Sequence, residues 1–154
     1  MNRQRRSLSS EPSEGLAILR DIDPLEPARV RGLQAQDWLL HEEGGTRSAE
    51  QMAVALGITR QAVNKRRSRN ALIGLSLGRR GYAYPTWQIG DSGTLDGLAA
   101  VLTALGDENA WSRVAFFLTT NVWLDGETPL AVLRRGEIPR VVAAAERLGD
   151  QVAV

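Results

Sequence analysis

The chain has 154 residues, enough for one ordinary domain or two small ones, so a large multidomain enzyme is excluded. Its composition, 43% apolar and 24% charged, is that of a globular protein, and no apolar run approaches the ~20 residues that cross a membrane. The chain has no cysteine, which excludes disulfides and thiolate metal sites and favours a reducing cytoplasm. The single histidine, His41, argues against a multi-histidine metal site. We therefore expect no metal, no cofactor and no membrane span.

The net charge of +1 conceals an uneven distribution. Residues 1–90 hold 14 Lys and Arg against 9 Asp and Glu, whereas residues 91–154 hold 5 against 9. Residues 60–80 contain seven basic side chains and no acid, namely Arg60, Lys65, Arg66, Arg67, Arg69, Arg79 and Arg80. This density suits contact with phosphates, so nucleic acid is the predicted partner of the basic half.

The N-terminal residues, 1–30, are predicted to be a flexible arm because they are rich in polar residues and proline. Pro24 and Pro27 discourage a helix near the end of this arm. A first helix is predicted after them and ends near Gly44, with Trp38 packing it on the elements that follow.

Two short helices are predicted next, separated by a tight turn. Ser48 lies three residues before Gln51, the spacing of a capping box, and Gly57 stops the helix that this box begins. Thr59 is a good N-cap for a third helix through Arg69. Two helices with so short a connection indicate a helix-turn-helix.

The pattern then changes to that of a β-hairpin over residues 72–88. Its predicted tip is the basic sequence at residues 78–81, and Tyr82, Tyr84 and Trp87 are expected to pack the second arm on its neighbours. Pro85 is expected to put this arm at a sheet edge or to end it early.

The remaining sequence is predicted to be helical, with helices over residues 95–105, 111–118, 129–135 and 138–148. Thr128 caps the third of these, and Gly149 is predicted to end the last, leaving residues 150–154 as a short tail. The fold class is therefore mainly α. We predict a helix-turn-helix domain with a β-hairpin in residues 31–90 and a small helical domain in residues 91–154.

The outward side of the third helix is predicted to bind DNA. The candidate residues are Thr59, Arg60, Gln61, Asn64, Lys65, Arg66, Arg67, Ser68 and Arg69, with Arg79 and Arg80 on the hairpin tip. The amides of Gln61 and Asn64 can bond adenine bidentately, while Arg60 or Lys65 can reach guanine or a phosphate. The other arginines are predicted to contact phosphates. The alternative is a packing unit with solvated arginines.

The predicted helix-turn-helix and hairpin are followed by a distinctive C-terminal sequence. It comprises Phe117-Leu118, Asn121, Trp123-Leu124-Asp125-Gly126, Pro129-Leu130-Ala131-Val132-Leu133, Gly136, and a helix to Leu148-Gly149. Together these features, over roughly residues 35–150, resemble the Xre/MbcA/ParS-type antitoxins of RES-domain toxin-antitoxin systems. The resemblance implies a RES-type toxin partner that degrades NAD and whose active site is blocked, autorepression of the operon at operator double-stranded DNA, and no enzyme activity in the chain itself.

The resemblance places toxin binding in the C-terminal domain. The candidate contacts are Trp123, Asp125, Pro129, Leu130, Leu133, Arg147, Asp150 and Val154. The tail of residues 150–154 is a candidate plug for the toxin active site, with a frayed terminus as the alternative. Core packing is the expected role of the Trp123 indole, and it is an alternative for Leu133.

A second functional class is a stand-alone helix-turn-helix regulator whose C-terminal domain only oligomerises. Either class predicts a homodimer, because a single helix-turn-helix makes a small DNA interface. An enzyme is the weakest alternative, since no acid, base and nucleophile can be assembled from these residues.

Overall fold

The computed structural model describes residues 26–153, and these contain seven α-helices. The helices are α1 (Glu26–His41), α2 (Ala49–Leu56), α3 (Arg60–Ser68), α4 (Leu98–Leu105), α5 (Ala110–Leu118), α6 (Pro129–Arg134) and α7 (Ile138–Ala153). Five short strands accompany them: β1 (Thr46–Arg47), β2 (Leu75–Ser76), β3 (Tyr82–Pro85), β4 (Ile89–Gly90) and β5 (Gly93–Thr94). The predicted mainly α fold with a β-hairpin is confirmed.

The chain divides into two units, one up to Ala35 and one from Gln36 onward, and α1 runs across the division. The described part of the first unit is residues 26–35 of α1. Of the predicted arm, residues 1–30, the first 25 residues lie outside the described residues. Its last five residues are helical instead, because Pro27 occupies the first turn of α1, where a missing N–H costs nothing.

In the part of α1 that belongs to the second unit, the buried side chain is not the one that the sequence predicts. Leu39 is buried, whereas Trp38 is 46% exposed. The prediction that Trp38 packs α1 on the following elements is therefore wrong, since its neighbour takes the core position.

Strands β1, β2 and β3 form a three-stranded antiparallel sheet with the order β1-β3-β2. Thr46 pairs with Pro85, and Leu75 pairs with Ala83. Strand β3 ends at Pro85 as expected, but it lies at the centre of the sheet and not at an edge, because the unpredicted β1 occupies its other side. The order helix, strand, two helices and hairpin is that of a winged helix-turn-helix. We call β2, β3 and the 3₁₀ turn Gly78–Arg80 between them the wing.

A buried amide closes the base of the wing. Gln88 has no exposed surface, accepts a hydrogen bond from the Ile73 N–H at 2.6 Å, and donates to the Ile73 carbonyl at 2.9 Å. These two bonds satisfy both backbone groups of Ile73, as a paired strand would.

The predicted start of α4 is three residues too early. Leu95 instead donates its N–H to the Gln88 carbonyl at 2.7 Å, next to the hairpin formed by β4 and β5. Gly97 then precedes the helix in a left-handed conformation with φ of 85°. The predicted domain boundary at Gly90 lies within that hairpin, and residues on both sides of it contribute to one hydrophobic core.

Helix α7 continues past Gly149 to Ala153, so the predicted helix stop and the predicted tail of residues 150–153 are wrong. A Cβ at Gly149 would lie 2.8 Å from the carbonyl oxygen of Ala104. This glycine therefore permits the close approach of α7 to α4 and is not a helix terminator. Val154 lies outside the described residues, and within those residues no helix is long and apolar enough to cross a bilayer.

Candidate nucleic-acid interface

Helix α3 is held in place by its cap and by one buried face. The Thr59 hydroxyl accepts a hydrogen bond from the Ala62 N–H at 3.0 Å, and Gly57 ends α2 with φ of 67°, a left-handed conformation suited to glycine. Val63 is fully buried, and Ala53 of α2 is buried near the crossing of the two helices. The helix-turn-helix geometry is as the sequence predicts, and it leaves the opposite face of α3 in contact with solvent.

Most of the predicted DNA-binding residues lie on this exposed face or on the wing. The exposed ones are Thr59, Arg60, Gln61, Lys65, Ser68, Arg69, Arg79 and Arg80, while Asn64, Arg66 and Arg67 are half-buried. Tyr82, the first residue of β3, contacts Arg67, so this strand of the wing adjoins α3.

Five of these basic side chains have no partner in the part of the chain that the structure describes. Lys65, Arg66, Arg69, Arg79 and Arg80 form no ion pair and donate no side-chain hydrogen bond there. We call them the basic surface. Arg60 differs, since its guanidinium donates to Glu50 of α2 at 3.1 Å in an exposed ion pair.

Arg67, which is predicted to contact phosphates, is engaged within the protein. Its Nε donates to the Tyr84 hydroxyl at 3.1 Å, and its guanidinium stacks 3.8 Å from the centroid of the Tyr82 ring. A Cβ at Gly74 would lie 2.5 Å from the Arg67 Cδ, so the arginine stem needs this glycine. Sequence reasoning missed the role of Gly74, whose only signal is a glycine between the buried Ile73 and Leu75.

Asn64 is also partly committed. Its Oδ1 accepts a hydrogen bond from the Tyr84 hydroxyl at 3.3 Å. The predicted bidentate pairing with adenine needs both ends of the amide free to face the base, and here the carbonyl end faces the wing. The pairing of Asn64 with adenine stays a prediction, and one lone pair of its carbonyl oxygen is taken by Tyr84.

The predicted toxin-binding residues separate into two groups. Pro129, Leu130 and Leu133 are buried in the core of the second unit, so they present no surface to a partner. Trp123, Asp125, Arg147 and Asp150 are exposed. The amphipathic period of α6 places its leucines against the core, which is why the first group is unavailable.

Trp123 is 54% exposed, so its expected core role is wrong. The neighbouring Leu124 takes the buried position of the 3₁₀ turn, and the Trp123 ring lies outside with the Arg147 guanidinium 3.8 Å from its centroid. Beside this pair is a shallow groove of about 260 Å³, also lined by Phe116 and Leu148.

Ion pairs tie the turn before α6 to the start of α7. Arg135 contacts both Glu127 and Glu137, and its hydrogen bonds hold the pKa of each carboxyl below the ordinary value. Arg140 donates to Asp125 at 3.0 Å and to Glu137 at 3.3 Å. Among the described residues, no cluster of histidine or carboxylate side chains is arranged to hold a metal ion.

Comparison with known proteins gives a fold and no family. No family model and no curated protein matches the chain. The NMR structure of Rv2175c is similar, with a TM-score of 0.60 and 19% sequence identity, covering 71% of this chain and 84% of that one. At this identity the likeness shows a shared fold, so function rests on the site.

Proposed function

We propose that this chain is a DNA-binding regulator that inserts α3 into the major groove of double-stranded DNA and lays the wing along the adjacent backbone. The observation that carries the proposal is the basic surface, whose five cations have no internal partner in the described part of the chain. Their positions on α3 and the adjoining wing suit the width of a major groove, which admits one helix.

Electrostatics supports the same docking. Cations without an ion-pair partner can contact phosphates without giving one up, and each phosphate that they neutralise releases counterions. The exposed hydroxyl and amide side chains of Thr59, Gln61 and Ser68 lie among these cations and can contact base edges or phosphates. The exposed surface of α3 therefore combines the two classes of contact that duplex recognition requires.

The salt dependence of duplex binding tests this proposal. We expect Lys65→Ala with Arg69→Ala to weaken binding of a random-sequence duplex by about tenfold at low salt and to reduce the slope of log K against log salt by about 1.8. Fluorescence anisotropy measures both quantities. Arg134→Ala with Arg147→Ala removes the same charge elsewhere and is expected to leave both unchanged. Equal losses in the two double variants would contradict the assigned surface, and an absence of wild-type binding at about 50 mM salt would contradict DNA binding itself.

A dimer is part of the proposal, because one helix-turn-helix buries a small DNA interface and two copies on a palindromic site add their contacts. Sedimentation of the chain with and without duplex measures the stoichiometry. A strict monomer that binds a non-palindromic site at full affinity would contradict it.

The antitoxin function implied by the resemblance stays a prediction. The exposed Trp123 and Arg147 beside their groove are the described residues that best support a protein partner in the C-terminal half. Co-expression with the product of the adjacent gene tests it. A stable complex that restores growth to toxin-expressing cells would support the antitoxin, whereas operator binding without partner or rescue would favour the stand-alone regulator.

A further inference from the structure

A chain of hydrogen bonds joins the wing to the DNA-facing helix. The Arg67 Nε donates to the Tyr84 hydroxyl oxygen at 3.1 Å, and that hydroxyl donates to the Oδ1 of Asn64 at 3.3 Å. Both ends of the chain lie on α3, one turn apart, and the middle lies on the central strand β3. The wing therefore contacts two helical positions through one phenol.

The packing around this phenol fixes its position. Tyr84 is fully buried, and the missing side chain of Gly74 makes room for both partners, since a Cβ there would lie 2.5 Å from the Arg67 Cδ and 3.1 Å from the Tyr84 Cε1. The Tyr82 ring covers the guanidinium on another side at 3.8 Å. The donor from Arg67 occupies the phenol oxygen, which directs the hydroxyl hydrogen to Asn64.

This arrangement occupies one end of the Asn64 amide. One lone pair of the carbonyl oxygen accepts from Tyr84, whereas the NH₂ donates to no partner among the described residues. In the major groove guanine presents two acceptors, N7 and O6, whereas adenine presents one acceptor and one donor. An amide whose NH₂ is free and whose carbonyl oxygen is partly occupied matches the two acceptors of guanine better than the acceptor and donor of adenine.

We propose that Tyr84 is a specificity-determining positioning residue that makes Asn64 a reader of guanine. The inference rests on the proposed binding of duplex DNA through α3. The amide of an unpartnered asparagine would favour adenine. The hydrogen bond from Tyr84 changes this by leaving the NH₂ of Asn64 as the group that is free to donate.

In-vitro selection from a random duplex library tests the proposal with the full chain. We expect the wild type to select guanine at one position of its site, and Asn64→Ala to lose that preference with an affinity loss on the order of tenfold. Tyr84→Phe frees the carbonyl oxygen, so the same position is expected to change from guanine to adenine. Tyr82→Phe, which removes a hydroxyl from the same strand and keeps the ring over Arg67, is the matched control and is expected to keep guanine.

A second measurement uses wild-type protein and Asn64→Ala only, so it stands even if Tyr84→Phe fails to fold. Replacing the selected guanine by 7-deazaguanine removes the N7 acceptor and is expected to weaken binding by the wild type about threefold or more, with no effect on Asn64→Ala.

The outcomes separate the two proposals. Selection of adenine by the wild type at the Asn64-dependent position, or an unchanged guanine preference in folded Tyr84→Phe, would overturn the role of Tyr84 while DNA binding stands. An unselective wild type that binds all duplexes equally would overturn base reading by Asn64. Failure of the wild type to bind any duplex at low salt would remove both.

Discussion

The cations of the basic surface and the arginines after Gly90 are used in opposite ways. On α3 and the wing, the five members of the basic surface have no partner among the described residues. After Gly90 every arginine has one: Arg113 donates to Asn70 and the Gly106 carbonyl, Arg134 to Glu43, Arg135 to Glu127 and Glu137, Arg140 to Asp125 and Glu137, and Arg147 stacks on Trp123. The acids are distributed accordingly, since residues 60–80 contain none.

This difference teaches that charge count alone does not identify a binding surface. An arginine whose donors are occupied by a carboxylate would have to give up that partner to bind a phosphate, whereas an unpartnered one exchanges only water and counterions. The C-terminal arginines fasten turns and helix ends, and the basic surface remains available to a polyanion. The C-terminal arginines are thus engaged within the protein, whereas the cations of the basic surface are available for the DNA contact proposed above.

The largest expected effect is a loss of stability in the C-terminal half, where α4 contacts α7. Gly149→Ala places a methyl group 2.8 Å from the Ala104 carbonyl oxygen, so the helices must separate. We expect the free energy of unfolding to fall by about 1–3 kcal/mol, while duplex affinity of the folded protein is unchanged. Urea denaturation measures the first and anisotropy the second.

Gly32→Ala is the matched control for this substitution, since a Cβ at Gly32 meets nothing within 4 Å. In that exposed helical position alanine is expected to be neutral or to stabilise by up to about 1 kcal/mol. A Gly149→Ala variant as stable as the wild type would show that the glycine is not needed for helix packing.

A smaller effect is expected at Arg60, a cation of α3 that does have an ion-pair partner. Arg60 at the start of α3 is paired with Glu50, so Glu50→Gln removes an acid beside the proposed DNA-binding face and frees a guanidinium. We expect duplex affinity to rise about three- to tenfold at low salt, with little change in stability, because exposed ion pairs contribute about 0–1 kcal/mol. The control Glu127→Gln makes the same charge change beside Arg135 and is expected to leave duplex affinity unchanged. Equal gains in both variants would indicate a general effect of net charge.

The smallest effect is a pH dependence that belongs to the C-terminal half. Arg135 lowers the pKa of Glu127 and of Glu137 below the ordinary 4.5 in the folded chain. Their contribution to stability is therefore present above that pH and is lost as the pH falls through the lowered pKa values. We expect the unfolding free energy of Arg135→Gln to fall less than that of the wild type as the pH is lowered from 5. The slopes of unfolding free energy against pH are expected to differ by the equivalent of about one bound proton or less. Thermal melts across this range measure it, and parallel curves for the two proteins would exclude the linkage.

The sequence predicted helix starts well where the capping hydrogen bonds join residues close together in the chain. The capping box at Ser48, the cap at Thr59 and the Thr128 cap with its following proline all form as the spacing indicates. Such motifs satisfy backbone donors within three residues, so no distant partner is needed to form them. The helix-turn-helix and the start of α6 follow from them.

The errors in the sequence interpretation arise where contacts with residues distant in the chain determine the local structure. Gly149 reads locally as a helix stop, yet its neighbour is Ala104 of another helix. Strand β1 is two residues long and exists because β3 pairs with it. Arg67 resembles any exposed basic residue until the tyrosines of β3 are brought beside it, so its partners are visible only in three dimensions.

The buried Gln88 has a consequence for how the wing can vary. Because its amide bonds both backbone groups of Ile73 and also donates to the Pro85 carbonyl, the hairpin is closed at its root by a side chain. None of these bonds involves a residue of the loop between Ser76 and Tyr82. We therefore expect insertions in this loop to leave the base of the wing intact.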